Sequence, residues 1–270
     1  MQRPESWRTT EKPVCEGDVL CRGITVSLNF FERKIGIMRS YTKEKAIACI
    51  VNCAKTYKKE LVNKQLLFVC SDCYKNIICV ELSFDASNFL HLTGLKTNNI
   101  VCPDGSVRKL SATEFYKRCV NNKISPKDFE FSKDGTTNMK LNVLPKLISK
   151  NLSAKMIGNY NSIRPKLVTD KLVGNVAACM GFVLTKNDVR YVPNTVIQED
   201  IRKCATDIVQ VVAVFRKEKN FPCYSECTYK SNKYDWSDAK ISDEYSFLKD
   251  LLSDELNSSM SNKDCMLPTL

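Results

Sequence analysis

Ile208-Val209-Gln210-Val211-Val212-Ala213-Val214-Phe215-Arg216-Lys217 is the most apolar strand-length run in the chain, and it ends on two cations. A short run rich in β-branched residues and bounded by charge reads as a rigid central strand. Upstream, Ala154 to Asn159, Lys166 to Thr169, Ala177 to Leu184 and Val189 to Val192 share that character, with turn signals at Gly158-Asn159, Arg164-Pro165 and Lys186-Asn187-Asp188 between them. One short helix, Gln198 to Cys204, interrupts the series.

The first half of the chain has a different period. After Thr42, a natural N-cap, Ile47, Ile50, Val51, Ala54, Tyr57 and Leu61 recur every three to four residues with lysines between them, the pattern of an amphipathic helix. Gln65 to Cys70 and Asn76 to Leu82 then read as a hairpin with Cys70-x-x-Cys73 at its turn. Ser111-Ala112-Thr113-Glu114 is a capping box that opens a second helix, and a third is expected from Thr136 to Lys150 around Pro145. Helices first and adjacent strands afterwards predict an α+β fold with an antiparallel sheet. Parallel strands would need a crossover between each pair. No repeat of 20 to 50 residues is visible, which sets solenoids aside.

The domain reading is a poorly determined N-terminal extension over residues 1–41, one α+β domain over 42–223, and an acidic, largely flexible C-terminal tail over 224–270. A formal charge of +11 favours a polyanion or phosphate-bearing ligand, and the acidic end is expected to lie against a basic face. No apolar stretch reaches the roughly 20 residues that cross a bilayer, so no membrane partner is expected. The first residues lack the apolar run of a signal peptide, so the 14 cysteines read as reduced thiols. Structural zinc needs a second ligand pair, and neither Cys49-x3-Cys53 nor Cys223-x3-Cys227 repeats the Cys70-x-x-Cys73 spacing. No metal and no cofactor is therefore expected.

The chain has a single histidine, His91, within Asn88-Phe89-Leu90-His91-Leu92-Thr93-Gly94. Read as a strand, that segment sets Phe89, His91 and Thr93 on one side, imidazole and hydroxyl together, with Gly94 permitting a turn or close ligand approach. Downstream lies the densest positive stretch, with Lys133, Lys140, Lys146, Lys150, Lys155, Arg164, Lys166 and Lys171 set against Asp134 and Asp170. Thr169-Asp170-Lys171-Leu172-Val173-Gly174-Asn175 and Val192-Pro193-Asn194-Thr195 read as short polar loops that follow or end strands, places where ligands are commonly positioned.

These segments, together with Phe115-Tyr-Lys-Arg118, Lys127-Asp-Phe-Glu-Phe131, Ala154-Lys-Met-Ile-Gly158, Met180-Gly-Phe182 and Glu199-Asp-Ile-Arg202, occur in an order that resembles the fourth class of phage-encoded Barnase/EndoU/colicin/RelE-like nucleases, the PBECR type. The resemblance runs from about Thr42 to Lys217. It implies a compact nuclease fold, with N-terminal helices packed on an antiparallel sheet of four to five strands, that cuts RNA without a metal in the cytoplasm of a bacterial host, with an immunity or antitoxin protein as a further partner.

Such cleavage needs a group to take the ribose 2′-OH proton, cations to hold charge on phosphorus, and an acid for the 5′ oxygen. On that reading His91 is base or acid, Lys171 and Arg216 stabilise charge, and Thr93, Asn194 and Thr195 orient. Lys155, Arg164, Lys166, Thr169 and Asn175 would then hold RNA. With one histidine, the second proton-transfer partner is left to a lysine, a carboxylate such as Asp170, or water. Two rivals stand beside it. One is an NAD-dependent ADP-ribosyltransferase-like enzyme completed by Glu199, and the other is a non-catalytic nucleic-acid-binding phage accessory protein whose basic face grips phosphates.

Overall fold

The computed structural model describes residues 40–162, 167–185 and 190–252. Helix α1 (Lys43–Glu60) is opened by Thr42, whose side chain accepts the Lys45 N–H at 3.3 Å, and it carries Lys58 and Lys59 in its last turn, where cations suit the helix dipole. Of the apolar face read from the sequence, Ile50, Val51, Ala54 and Tyr57 are buried and Ile47 is partly buried. Strands β1 (Lys64–Ser71) and β2 (Ile77–Ser83) form the expected antiparallel hairpin. Its turn is held by Asp72, whose carboxylate accepts the N–H groups of Tyr74 and Asn76 at 2.8 and 2.9 Å.

Phe89 to Thr93, expected to be a strand, is the short helix α2 (Phe89–Thr93). Five residues are too few for alternation and helical period to be told apart, and the flanks decide the outcome. Asp85 and Asn88 cap the preceding 3-10 turn, the Asn88 side chain accepting the Asp85 N–H at 2.9 Å, and Gly94 closes α2 at φ +70°, a left-handed conformation that glycine adopts freely.

The chain continues through β3 (Leu95–Thr97), the hairpin of β4 (Asn99–Val101) and β5 (Val107–Lys109), α3 (Ala112–Val120), β6 (Phe129–Phe131) and α4 (Thr136–Leu147). Ser111 caps α3 as expected, its hydroxyl accepting the Glu114 N–H at 3.2 Å. The second half supplies β7 (Met156–Tyr160), β8 (Lys171–Gly174), β9 (Cys179–Leu184), β10 (Tyr191–Ile197), the one-turn helix α5 (Ile201–Cys204), β11 (Ala205–Glu218) and β12 (Glu226–Lys230).

These strands correct the predicted fold. Seven of them close into a mixed barrel in the order β1-β2-β10-β9-β8-β7-β11, with β11 pairing back onto β1 and the helices mostly outside, in place of helices on a four- or five-stranded antiparallel sheet. The contact of β2 with β10 is parallel, with Leu82 opposite Tyr191, whereas the other barrel pairs are antiparallel. Closure depends on β11, which spans 14 residues. Its first part, Ala205 to Gln210, pairs with β7 across an irregularity between Thr206 and Val209, where Asp207 has φ +48°, and its second, from Gln210 on, pairs with β1. Lys171 to Gly174, Pro193 and Thr195, read as loop residues, are paired in strands, and residues 167–169 of the run Lys166 to Thr169, read as a strand, form none.

Alternate residues of the barrel strands enter one core with the helices. Leu66, Phe68 and Cys70 of β1, Val173 of β8, Met180 and Phe182 of β9 and Val214 of β11 pack with Ile50 and Tyr57 of α1, Phe89 of α2 and Phe115 of α3. The other face of β1 and β11 is covered by Tyr224 to Leu252. There Leu67, Val69, Val212 and Phe215 pack with Tyr224, Leu248 and Leu252, and β12 is bonded to β11. The acidic segment after Tyr224 thus contributes a strand and buried leucines up to Leu252. Among the described residues no helix is long and apolar enough to cross a membrane.

Candidate active site

The turn carrying the single histidine is fixed by helix α4. Thr137, fully buried near the start of α4, donates its hydroxyl to the Gly94 carbonyl at 2.7 Å and accepts the Ser132 N–H at 2.9 Å. Lys140, one turn later, donates its ammonium to the His91 carbonyl at 3.0 Å. A Cβ on Gly94 would lie 2.9 Å from Cδ of Lys140 and 3.2 Å from Cα of Thr137, so glycine permits both the backbone conformation and this close packing. The His91 side chain is exposed and makes no hydrogen bond or ion pair with a described residue, which leaves its ring nitrogens open to a ligand.

Lys140 lines a cleft of about 350 Å³ between α4 and the end of β10, together with Thr136, Thr195, Gln198, Glu199 and Cys204. Burial lowers the pKa of Lys140 below the ordinary lysine value, and Asp134 opposes that shift. Glu199 is held as a carboxylate. It accepts the Asp200 N–H at 3.0 Å and the Lys203 ammonium at 3.2 Å, and the backbone bond followed by the lysine lowers its pKa.

Thr169, Asn194 and Thr195, expected in separate loops, meet beside Gly181 of β9. The Thr169 hydroxyl donates to Oδ1 of Asn194 at 3.2 Å, and the Asn194 amide donates to the Val168 carbonyl. Asn194 occupies an irregularity between Pro193 and Thr195, and Gly181 provides the room. A Cβ on Gly181 would come within 2.7 Å of Thr195 Cγ2 and 2.9 Å of Thr169 Cγ2. The cluster anchors the segment leading from Leu167, which also lines the cleft, into β8. Two residues beyond Thr169, Lys171 donates to Oδ1 of Asn159 at 2.9 Å and lies 5.5 Å over the Tyr191 ring. Asn159 in turn donates to Asp207 at 3.0 Å.

The remaining residues singled out from the sequence stand elsewhere. Thr93 is buried, its hydroxyl donating to the Leu90 carbonyl at 2.7 Å and accepting the Leu95 N–H at 3.2 Å, so it closes α2 and does not face His91. Arg216 binds Glu60 at 3.1 Å and Glu226 at 2.7 Å through a side chain only 11% exposed. Lys155 lies 4.4 Å over the Tyr229 ring, beside β12. Asn175 caps its own turn, accepting the Ala177 N–H at 2.8 Å and donating to the Ser153 carbonyl at 3.0 Å. Arg164 and Lys166 lie outside the described residues. Cys70 is buried in the core, whereas Cys73 is exposed at the hairpin turn. Lys140 was visible in the sequence only as one lysine of a basic run. Its spacing of four residues from Thr136 within one helix was the available signal.

Residues 49–233 match the family described as phage-Barnase-EndoU-ColicinE5/D-RelE like nuclease4, PBECR4. The chain belongs to the PBECR4 nuclease family. No curated protein and no solved structure shows significant similarity to it. The PBECR4 match spans α1 from Cys49, the whole barrel and β12, so α2, the Lys140 cleft and the Thr169–Asn194 cluster all fall within it.

Proposed function

We propose that this PBECR4 protein is a metal-independent endoribonuclease that holds RNA at the cleft between α4 and β10 and cuts it by attack of a ribose 2′-OH on the adjacent phosphodiester. One observation carries the reading: the turn bearing the only histidine is tied, through Lys140 and Thr137, to the wall of a cleft that also contains Thr195. RNA supplies its own nucleophile, so the protein must move protons and stabilise phosphate charge. Imidazole, ammonium and hydroxyl groups perform those tasks. Lys171, on the strand that follows the anchored Thr169 segment, is the nearest lysine in sequence able to extend the phosphate-binding surface.

In a phage or prophage setting the substrate is RNA of the bacterial cytoplasm, and an immunity or antitoxin protein covering the cleft would restrain cleavage. The experiment is to incubate wild-type and His91→Ala protein with labelled RNA and matched DNA, and separately with NAD and cell extract. RNA fragments that vanish in the variant support the proposal. NAD consumption without RNA cleavage would assign the Glu199-lined cleft to ADP-ribosyl transfer, and salt-sensitive RNA binding with neither reaction would leave a binding protein.

A further inference from the structure

We propose that Lys140 is the second proton-transfer group of this site, the acid that protonates the departing 5′ oxygen while His91 takes the 2′-OH proton. The inference rests on the endoribonuclease reading and adds the residue which a chain with one histidine must draw from another side-chain type. As the 2′ oxygen bonds to phosphorus, its proton passes to the His91 imidazole. The bond from phosphorus to the 5′ oxygen breaks, and that oxygen receives a proton from the Lys140 ammonium. The products are a 2′,3′-cyclic phosphate and a 5′-hydroxyl end, and no further reactant is consumed.

The geometry singles out Lys140 among the groups facing the cleft. Its ammonium donates to the main-chain carbonyl of His91 at 3.0 Å, which fixes it against the histidine-bearing turn, and its stem lies against Gly94. Glu199 faces the cleft from the segment before α5, but its carboxylate is committed to Asp200 and Lys203. Cys204 faces it from α5 with its thiol directed at the carbonyls of Asp200 and Ile201. From β10 the cleft receives Thr195, Val196 and Ile197, none of which titrates, and from α4 the apolar Met139 and the hydroxyl of Thr136. Asp134, just before α4, binds Thr136 at 2.7 Å and acts on Lys140 only through its charge. Partial burial favours the neutral amine, so this ammonium surrenders its proton more readily than an exposed lysine does.

The test compares RNA with uridine 3′-(4-nitrophenyl phosphate), whose leaving group departs without a proton. Lys140→Arg keeps the positive charge but removes a usable acid. It should lower kcat on RNA by about 100-fold with KM within about threefold, and change kcat on the nitrophenyl ester by less than about threefold. His91→Ala should impair both substrates. The alkaline limb of the wild-type pH profile on RNA should disappear in Lys140→Arg. Lys140→Met, which retains the stem against Gly94, should reproduce the selective loss on RNA, and thermal unfolding of each variant confirms that it is folded. Equal loss on both substrates, or no loss on RNA, overturns the role of Lys140 while leaving the nuclease reading in place. Failure of the wild-type protein to cleave either substrate overturns both.

Discussion

Thr137 and Gly94 are joined by a 2.7 Å hydrogen bond between residues 43 apart in sequence, and the same hydroxyl accepts the N–H of Ser132. A single buried threonine thus ties the histidine-bearing turn to the helix that carries Lys140. Thr137→Val keeps the shape and deletes both bonds, leaving a carbonyl and an N–H without that partner. The variant should be less stable by about 1–3 kcal/mol in urea unfolding, with a loss of activity on RNA larger than the stability change accounts for. Unchanged stability and unchanged turnover would mean that the turn is held by other contacts.

Arg216 on β11 ties the end of α1 and strand β12 to the barrel by ion pairs. Arg216 and Glu60 are each 11% exposed, and removing the cation leaves Glu60 with only the exposed Lys59 at 3.6 Å and Glu226 with only the exposed Lys150 at 3.5 Å. Arg216→Met should cost about 3–5 kcal/mol of stability, and Arg216→Met combined with Glu60→Gln should cost less than Arg216→Met alone. A fully stable Arg216→Met protein that has lost only RNA cleavage would return Arg216 to the phosphate-binding role expected from the sequence.

Leu248 is fully buried against the face of β1 and β11 that α1 does not cover, with Leu67, Val212 and Tyr224. Leu248→Ala should destabilise the protein by about 2–5 kcal/mol, measured by chemical denaturation. A change below about 0.5 kcal/mol would show that the acidic segment adds nothing to the barrel.

Acid should weaken the start of α4. Asp134 accepts both the N–H and the hydroxyl of Thr136, at 3.0 and 2.7 Å, and those bonds lower its pKa to about 2. A carboxylate with a depressed folded pKa contributes its stabilisation fully above the ordinary aspartate value of about 3.9 and loses it as pH falls through the folded value. The unfolding midpoint should therefore drop between about pH 4 and pH 2, and Asp134→Asn should flatten that drop. An identical acid profile in the variant would contradict the assignment.

Local chemistry made several elements legible. Thr42 and the three-to-four-residue spacing of Ile47, Ile50, Ala54 and Tyr57 predict α1, Ser111 and Glu114 predict the start of α3, and the run ending at Arg216 predicts β11. Barrel closure was not legible, because it depends on Leu82 meeting Tyr191 and on β11 pairing back onto β1, neither of which leaves a periodic signal. The candidate site was half legible. Thr169, Asn194 and Thr195 were picked as polar residues in punctuated segments, and Gly181 brings them together across strands. Arg216 was read as a phosphate ligand because a cation ending an apolar strand looks the same whether its partner is a phosphate or the distant Glu60, with which it is paired here. Phe89 to Thr93 misled because its alternation was too short, and Asn88 and Gly94, both in view, were the capping residues that made it a helix.

The most direct test of the account is to treat a defined RNA with purified wild-type and His91→Ala protein in the presence of a metal chelator and to identify the new 3′ ends by mass spectrometry. The account predicts 2′,3′-cyclic phosphate ends from the wild-type protein and intact RNA with the variant. Cleavage that stops on chelation, leaves ordinary 3′-hydroxyl ends or survives loss of His91 would contradict it.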